Sequence, residues 1–497
     1  MNRALPVALL LTACATTPPT PEPAVITRPM PGLESAPTKL PVASSPLPEG
    51  LAVDPTTIAA PPLELSIRKP ERLELANGLV VFLVEDHATP IVLVRALLPY
   101  GRVDDPADKL GLASLTTELL TEGGAGALSA DAFDALLEQH AADVSSGVSD
   151  EYASVTLSAR AVDLAKLFPV FADVLQRPRF DEKRFAVVRG RALEAVRRRE
   201  DFPDAVASRA LGKAVFGPDS PLAREPSAKH LEAISAADVK RFYAVRSTPT
   251  GARLVITGDF DAGAVKALLE LHLSSWKGPP APARTWPAPA KLSRRVIFVP
   301  REVAQVKIRI GTWGFQRNAP EEYALRLANA ALGSFGVGRL YREIRDERGL
   351  AYSAFSQVSP GPTTGLFLAG FDTRPAQAVK ALEVGLSILE RAGAAQPLTA
   401  PELATAVDMS LNAFAFRFDT AARVGFERAL YEQLGYPADY LETFRDRTAA
   451  VTLAQVNQGA RRFSEGLQIV VLGPKALEPA LAAFGPVTVI SDVEQFR

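Results

Sequence analysis

The stretch Val306-Lys-Ile-Arg-Ile-Gly-Thr-Trp-Gly314 alternates apolar and polar side chains, which is the period of a half-buried β-strand. A short apolar run, Val296-Ile-Phe-Val299, precedes it. The same pairing stands earlier in the chain, as Leu79-Val-Val-Phe-Leu-Val84 and then Ile91-Val-Leu-Val-Arg-Ala-Leu-Leu-Pro-Tyr-Gly101. A further strand pattern ends on glycine in each region, Arg253-Leu-Val-Ile-Thr-Gly258 and Leu467-Gln-Ile-Val-Val-Leu-Gly473. Each is followed by an apolar-periodic helix, Ala262 to Leu273 and Ala476 to Phe484. The separation from Gly101 to Gly314 is nearly that from Gly258 to Gly473. Matched landmarks at nearly one offset indicate a single unit present twice.

Between landmarks each unit reads as mostly helical. Ala130 to Gln139 and Ala161 to Leu175 carry i, i+3, i+4 apolar spacing, and Asp181 to Arg199 is a long charged helix. Strands at both ends with helices between them give an α+β layer of sheet and helices, repeated. The Pro/Ala-rich stretch from Lys277 to Ala290 separates the copies, so the expected domains are 63–276 and 293–497, joined by a linker over 277–292.

The segment before Leu63 differs in kind. Met1-Asn2-Arg3 is a positive start, Ala4 to Ala13 is apolar and too short to span a bilayer, and Leu11-Thr12-Ala13-Cys14 follows. Residues 1–13 read as a signal peptide, and the ending around Cys14, the only cysteine, resembles the bacterial lipobox, whose cysteine is lipidated. Residues 15 to 62 hold 13 of the 41 prolines and almost no aromatics, too little apolar surface to offset the entropy of ordering. Segment 14–62 is therefore expected to be a disordered lipoprotein tether. Ala15, and not aspartate, follows Cys14, which favours the outer membrane of a bacterial envelope, facing the periplasm.

Among 497 residues, 47% hydrophobic, the formal net charge is −1, so nothing draws the chain to nucleic acid. Arg197-Arg198-Arg199 lies between Glu194 and Glu200 and reads as a solvated helix face. The four histidines, His87, His140, His230 and His272, stand at no helical ligand spacing.

Gly111-Leu-Ala-Ser-Leu-Thr-Thr-Glu-Leu-Leu-Thr-Glu-Gly-Gly124 resembles the zinc-binding helix of the pitrilysin/insulinase peptidases, to which the mitochondrial processing peptidase belongs. That family carries H-x-x-E-H in a G-L-A-H-x-x-E-H frame, with a third ligand, a glutamate, on a later helix. On this chain the ligand positions fall on Ser114, Glu118 and Ala195, and the general-base position falls on Thr117. A catalytic zinc needs three such ligands with one position left for water, and a neighbouring carboxylate to take that water's proton. Serine is a poor ligand, alanine is none, and threonine is no base at neutral pH. No catalytic residue, metal or other cofactor is therefore assigned to this chain.

Gly333-Ser-Phe-Gly-Val-Gly-Arg-Leu-Tyr-Arg-Glu-Ile-Arg-Asp-Glu-Arg-Gly-Leu-Ala-Tyr-Ser353 resembles the family's S-R-L-F-x-E-L-R-E-x-R-G-L-A-Y-S element. The resemblance implies that its arginine and tyrosine, here Arg345 and Tyr352, reach across the cleft to hold substrate. Arginine offers a fixed fork of donors and tyrosine a hydroxyl for a developing oxyanion. The resemblance also implies a clam-shell, two homologous sheet-plus-helix domains facing each other across a cleft. It further implies a non-catalytic subunit that closes the chamber and lends Arg345 and Tyr352 to a catalytic H-x-x-E-H partner of the same family. Zinc is then expected only in that partner, with a peptide as substrate. The alternative is a lipid-anchored scaffold or peptide-binding protein with no peptidase partner.

Overall fold

The computed structural model describes residues 67–493; the signal segment, Cys14 and the tether lie outside them. The described residues all fall within one compact unit, Leu63–Arg497.

Two mixed sheets organise it. The first is built from β1 (Glu71–Glu74), β2 (Val80–Glu85), β3 (Ile91–Leu98), β4 (Asp143–Val148), β5 (Ala153–Arg160) and β6 (Arg253–Gly258), in the order β1-β2-β6-β3-β5-β4. The second takes β7 (Arg295–Pro300), β8 (Val306–Trp313), β9 (Phe315–Gln316), β10 (Ala354–Gly361), β11 (Leu366–Thr373), β12 (Gln468–Gly473) and β13 (Val487–Val489), in the order β13-β7-β12-β8-β11-β10-β9. Five central strands correspond one to one. β2, β3 and β6 precede β7, β8 and β12 by one common offset, and β4 and β5 precede β10 and β11 by nearly the same one. The pairing matches too, since β2–β6 and β7–β12 are parallel while β3–β6 and β8–β12 are antiparallel.

Eight helices belong to the first half: α1 (Leu112–Glu122), α2 (Ala130–Gln139), α3 (Leu164–Gln176), α4 (Glu182–Arg198), α5 (Pro203–Phe216), α6 (Ala228–Glu232), α7 (Ala236–Arg246) and α8 (Ala262–Leu273). The second half adds α9 (Glu322–Gly333), α10 (Ala378–Gly393), α11 (Ala400–Ala415), α12 (Ala421–Gln433), α13 (Tyr440–Ala449), α14 (Leu453–Arg462) and α15 (Glu478–Leu481). The helix expected over Ala476–Phe484 is instead a single α-turn between two 3₁₀ turns. Pro479 sits within it and Gly485 ends it at φ +147°. The segment 161–175 likewise opens as a 3₁₀ turn before α3 begins. The hairpins β4–β5 and β10–β11 interrupt stretches that the sequence predicts to be mostly helical.

Each sheet buries one face under its own helices. The other face is covered by a helix from the opposite half. Val206, Ala210, Leu211 and Ala214 of α5 pack on Ile297 and Val299 of β7 and Val470 and Leu472 of β12. Ala429 of α12, with Phe426 and Leu430, packs on Val80, Phe82 and Val255 of the first sheet. Exchanging one helix each way makes the two cores interdependent.

Residues 276–294 form no helix or strand, yet they are pinned to both halves, to the second through Trp313 Nε1 to Ala290 O at 2.9 Å and Gln468 to Ser293 O at 2.8 Å. Arg284 donates to the buried Asp104 carboxylate at 2.7 Å and 3.1 Å, and Arg246 reaches the same carboxylate at 2.8 Å. Glu151 pairs with Arg317, which also donates to Leu434 O at 3.2 Å, so charge links join the first half, the linker region and the second half.

Candidate functional site

α1 begins at Gly111, whose φ of +98° and tight contact with Leu231 exclude a side chain. Asp105 anchors the start, its two oxygens accepting from Gly111 N and Ala113 N at 2.7 Å each. Burial pushes the Asp105 carboxyl up to about 7 against the pull of those two N–H groups and Arg224. Leu112, Leu115, Leu119 and Leu120 face the core, while Ser114 and Glu118 share the less buried stripe one turn apart.

Thr117, at the general-base position, points inward. It is 1% exposed, its hydroxyl donates to Ala113 O at 2.8 Å, and the Tyr100 hydroxyl lies 3.1 Å away. A threonine so placed neither reaches a water nor accepts a proton from one.

α4 is set by Asp181, which accepts from Lys183 N and Arg184 N at 2.9 Å. Only Phe185 and Val188 of this helix are buried, so Ala195 is exposed. One turn before it, Arg191 reaches α1, donating to Glu118 at 2.7 Å and also to Glu122. The two helices that ligands on Ser114, Glu118 and Ala195 would join through a metal are joined instead by a guanidinium between two carboxylates. Burial and the neighbouring Glu122 push the Glu118 carboxyl up, and Arg191 opposes them. Among the described residues no group of three or more His, Cys, Asp or Glu side chains converges on a metal position. The histidines sit apart: His87 pairs with Asp259 at 2.6 Å, His140 with Asp163 at 2.8 Å, His230 meets Ser227 at a helix start, and His272 lies beside Phe168.

The second motif is assembled. Tyr341–Asp346 forms a π-helical turn, closed by Glu347 N to Arg342 O at 2.9 Å. Arg339 fixes it from below, binding both Glu402 oxygens at 2.6 and 2.7 Å. Burial disfavours the Glu402 charge, but Arg339 and Thr399 outweigh it and its pKa falls to about 2. The Arg345 guanidinium is stacked between two rings, 4.7 Å from Tyr341 and 5.2 Å from Tyr352. Its nearest carboxylate, Asp346, is 4.0 Å away, which leaves its donor edge largely unengaged. Tyr352 is 81% exposed. Among the described residues neither side chain hydrogen-bonds or pairs with any residue of α1 or α4. Reasoning from sequence named the ligand positions, Arg345 and Tyr352, but missed Arg191 and Tyr341. Their i, i+4 reach to Ala195 and to Arg345 was the available signal.

Two family models match the chain. "Insulinase (Peptidase family M16)" covers residues 80–223 and "Peptidase M16 inactive domain" covers residues 233–409. The chain belongs to the M16 family. An uncharacterized zinc protease of Streptomyces coelicolor is 28% identical over 253 residues, 49% of this chain and 55% of that protein. The chain thus matches just over half the length of that relative. Among solved structures, an M16 inactive domain from Pseudomonas fluorescens superposes with TM-score 0.75 at 23% identity, covering 82% of this chain and 98% of that one. A chain of complex III2 from Candida albicans gives 0.69 at 15% identity, covering 81% and 95%. The two sheet-plus-helix halves are the clam-shell architecture of M16 structures, and the residues at the metal and base positions fit a non-catalytic member.

Proposed function

We propose that this chain is the non-catalytic subunit of a heteromeric M16 zinc peptidase, closing the chamber and lending Arg345 and Tyr352 to substrate held by a catalytic H-x-x-E-H partner. The observation that carries this reading is the contrast between the two motifs. The metal position is closed by Arg191, while Arg345 is held between two tyrosine rings with its donor edge open and Tyr352 projects into solvent. A guanidinium oriented in this way suits a peptide carbonyl or carboxylate. A lipid on Cys14 would hold the complex at the envelope membrane; among the described residues no helix is long and apolar enough to cross one.

The test is to co-express this chain, carrying Arg345→Ala or Tyr352→Phe, with an H-x-x-E-H partner, and to confirm assembly by size exclusion. Losing a donor that faces an oxyanion lowers the rate by about 10²–10³-fold, and losing one that only positions substrate lowers it less. Full activity in both assembled variants would overturn the reading.

A second reading, a peptide-binding protein without a partner, draws on β4. Among the described residues it is the terminal strand of its sheet, with no further strand on its outer edge, and Ser146 on it lies 3.4 Å from Thr121 of α1. A free edge beside the closed metal position suits an extended peptide added as a further strand. Tight peptide binding by the isolated chain, with no co-purifying peptidase, would favour it.

A further inference from the structure

The turn that carries Arg345 holds that side chain by its faces. Tyr341 stands four residues before it in the same π-helical segment and Tyr352 seven residues after it, with ring centroids 4.7 and 5.2 Å from Arg345 Cζ. The two rings are not equivalent. Tyr341 is 5% exposed, and its neighbours Leu340 and Ile344 belong to the core of the second half. Phe335 meets the Tyr341 ring edge-on at 4.8 Å. Tyr352 is 81% exposed, so part of its ring meets Arg345 and the rest meets water.

Hydrogen-bonded backbone delivers both rings. Gly349, at φ +57°, donates its N–H to Arg345 O at 2.9 Å, and Leu350 donates its own to Ile344 O at 2.9 Å. Thr373 Oγ1 donates to Leu350 O at 2.5 Å, which fixes the chain two residues before Tyr352. Only Tyr341, however, has its ring packed as well as its backbone. Ion pairs do not orient Arg345. Arg348 meets Glu347 at 3.1 Å and Arg342 meets it at 3.7 Å, whereas among the described residues Arg345 finds only Asp346, at 4.0 Å.

Stacking suits this role. A guanidinium is planar and weakly hydrated, so a ring can cover its face while the N–H groups in its plane stay open. An arginine already held by a ring has less rotamer freedom left to lose when it meets a ligand. With both faces covered, a carboxylate or peptide carbonyl approaches Arg345 in its own plane, and an aromatic group has no face to stack on.

We propose that Tyr341 is the positioning residue for Arg345. Its packed ring sets the direction of the guanidinium, and it acts through Arg345 without touching substrate. This rests on the reading that Arg345 receives substrate, and the experiment separates the two.

The first arm needs no partner. The full chain is labelled with ¹³C,¹⁵N-arginine, and the Arg345 side-chain signals are identified by their loss in Arg345→Lys. Tyr341→Leu should move those signals toward free-arginine values, since a ring current is lost, and should raise their mobility. Tyr341→Phe keeps the ring and should leave them in place. Circular dichroism checks that each variant is folded; if Tyr341→Leu is not, Tyr341→Met takes its place. The second arm co-expresses the chain with an H-x-x-E-H partner and measures peptide cleavage in a double-mutant cycle. Tyr341→Leu should lower kcat/KM roughly three- to tenfold when Arg345 is present and have no effect in the Arg345→Ala background. Tyr341→Phe should retain the rate. Unmoved Arg345 signals in the folded variant overturn the proposal, and so does an equal loss of rate in both backgrounds. Full activity of Arg345→Ala would instead sink the reading of Arg345 as a substrate residue, and the first arm would still decide whether Tyr341 holds it.

Discussion

The first half sets α1 beside α4 and the second sets α9 beside α11, yet the two pairs are held by different chemistry. Between α1 and α4 the link is solvent-exposed, one arginine bridging Glu118 and Glu122. Around α9 and α11 the ion pairs are more enclosed. Glu322 is fully enclosed, accepting from the Tyr440 hydroxyl at 2.7 Å and from Arg326, while Arg339 locks Glu402. The same backbone thus carries an open charged seam in one half and enclosed ion pairs in the other. Topology positions a helix pair, and the side chains on the facing stripe decide whether it can hold a metal or is closed by a salt bridge.

The exchanged helices differ in a similar way, and this difference carries the largest expected effect. α5 seals the second sheet with aliphatic side chains, and Leu211 is nearly fully buried, pressed close to Gly311. α12 seals the first sheet with fewer fully buried side chains and keeps polar links there, such as Arg72–Glu432 at 2.9 Å and Gln433 to Leu98 O at 3.3 Å. Leu211→Ala should cost about 2–4 kcal/mol as a core truncation. Leu430→Ala, at a half-buried position, should cost about 1–2 kcal/mol. Denaturant unfolding of both variants ranks them. Equal losses would mean that the two seams are equivalent.

A smaller, pH-dependent effect separates the two helix starts. Asp105 supports α1 with a carboxyl raised to about 7, whereas Glu402 supports α11 with one lowered to about 2. A raised acid binds its proton more tightly when folded, so the stability it gives is full below its unfolded pKa, about 4, and is lost as pH climbs through 7. A lowered acid gives stability that is present above about 4 and is lost as pH falls toward 2. Relative to Asp105→Asn, wild type should therefore lose about 1–3 kcal/mol between pH 4.5 and 7.5. Relative to Glu402→Gln, it should change little over that window. Thermal melts of the three proteins across pH decide the sign, and parallel curves for wild type and Asp105→Asn would show that Asp105 titrates normally.

Much of this was legible in the sequence. Val306–Gly314 read correctly as a strand from its alternation and Ile91–Gly101 from its apolar run, although the structure buries β8 on both faces and not on one. β5, Ala153-Ser-Val-Thr-Leu-Ser-Ala-Arg160, shows the same alternation, but the stronger helical period that follows masks it. β4 is harder to read, since Ser145-Ser-Gly147 carries no apolar stripe. The helix exchange could not be read at all: an amphipathic helix declares that it buries a face but not which sheet receives it. Ser114, Thr117, Glu118 and Ala195 were visible as losses against a pattern. Arg191, which fills the gap, looks like any arginine on a charged helix, because its meaning depends on two glutamates far back along the chain.

Arg191→Ala carries the smallest expected effect. The three side chains are 52%, 42% and 28% exposed, so water screens each pair, and ordering a long arginine offsets part of the gain. Removing the guanidinium leaves Glu118 and Glu122 one turn apart with like charges, a penalty of a few tenths of a kcal/mol. The net loss should stay near about 0.5 kcal/mol, and chelator should leave the melting temperature of wild type unchanged. A better-resolved readout is the Glu118 carboxyl itself. Burial and Glu122 already push its pKa up, and losing the opposing Arg191 should move its NMR titration higher still. Two results would break the comparison between the halves. A loss of several kcal/mol would mean that the guanidinium joins α1 to α4 as strongly as a structural metal. Chelator-sensitive stability in Arg191→Ala would mean that the freed carboxylates recruit a cation, making the closed position a metal site held shut by one side chain.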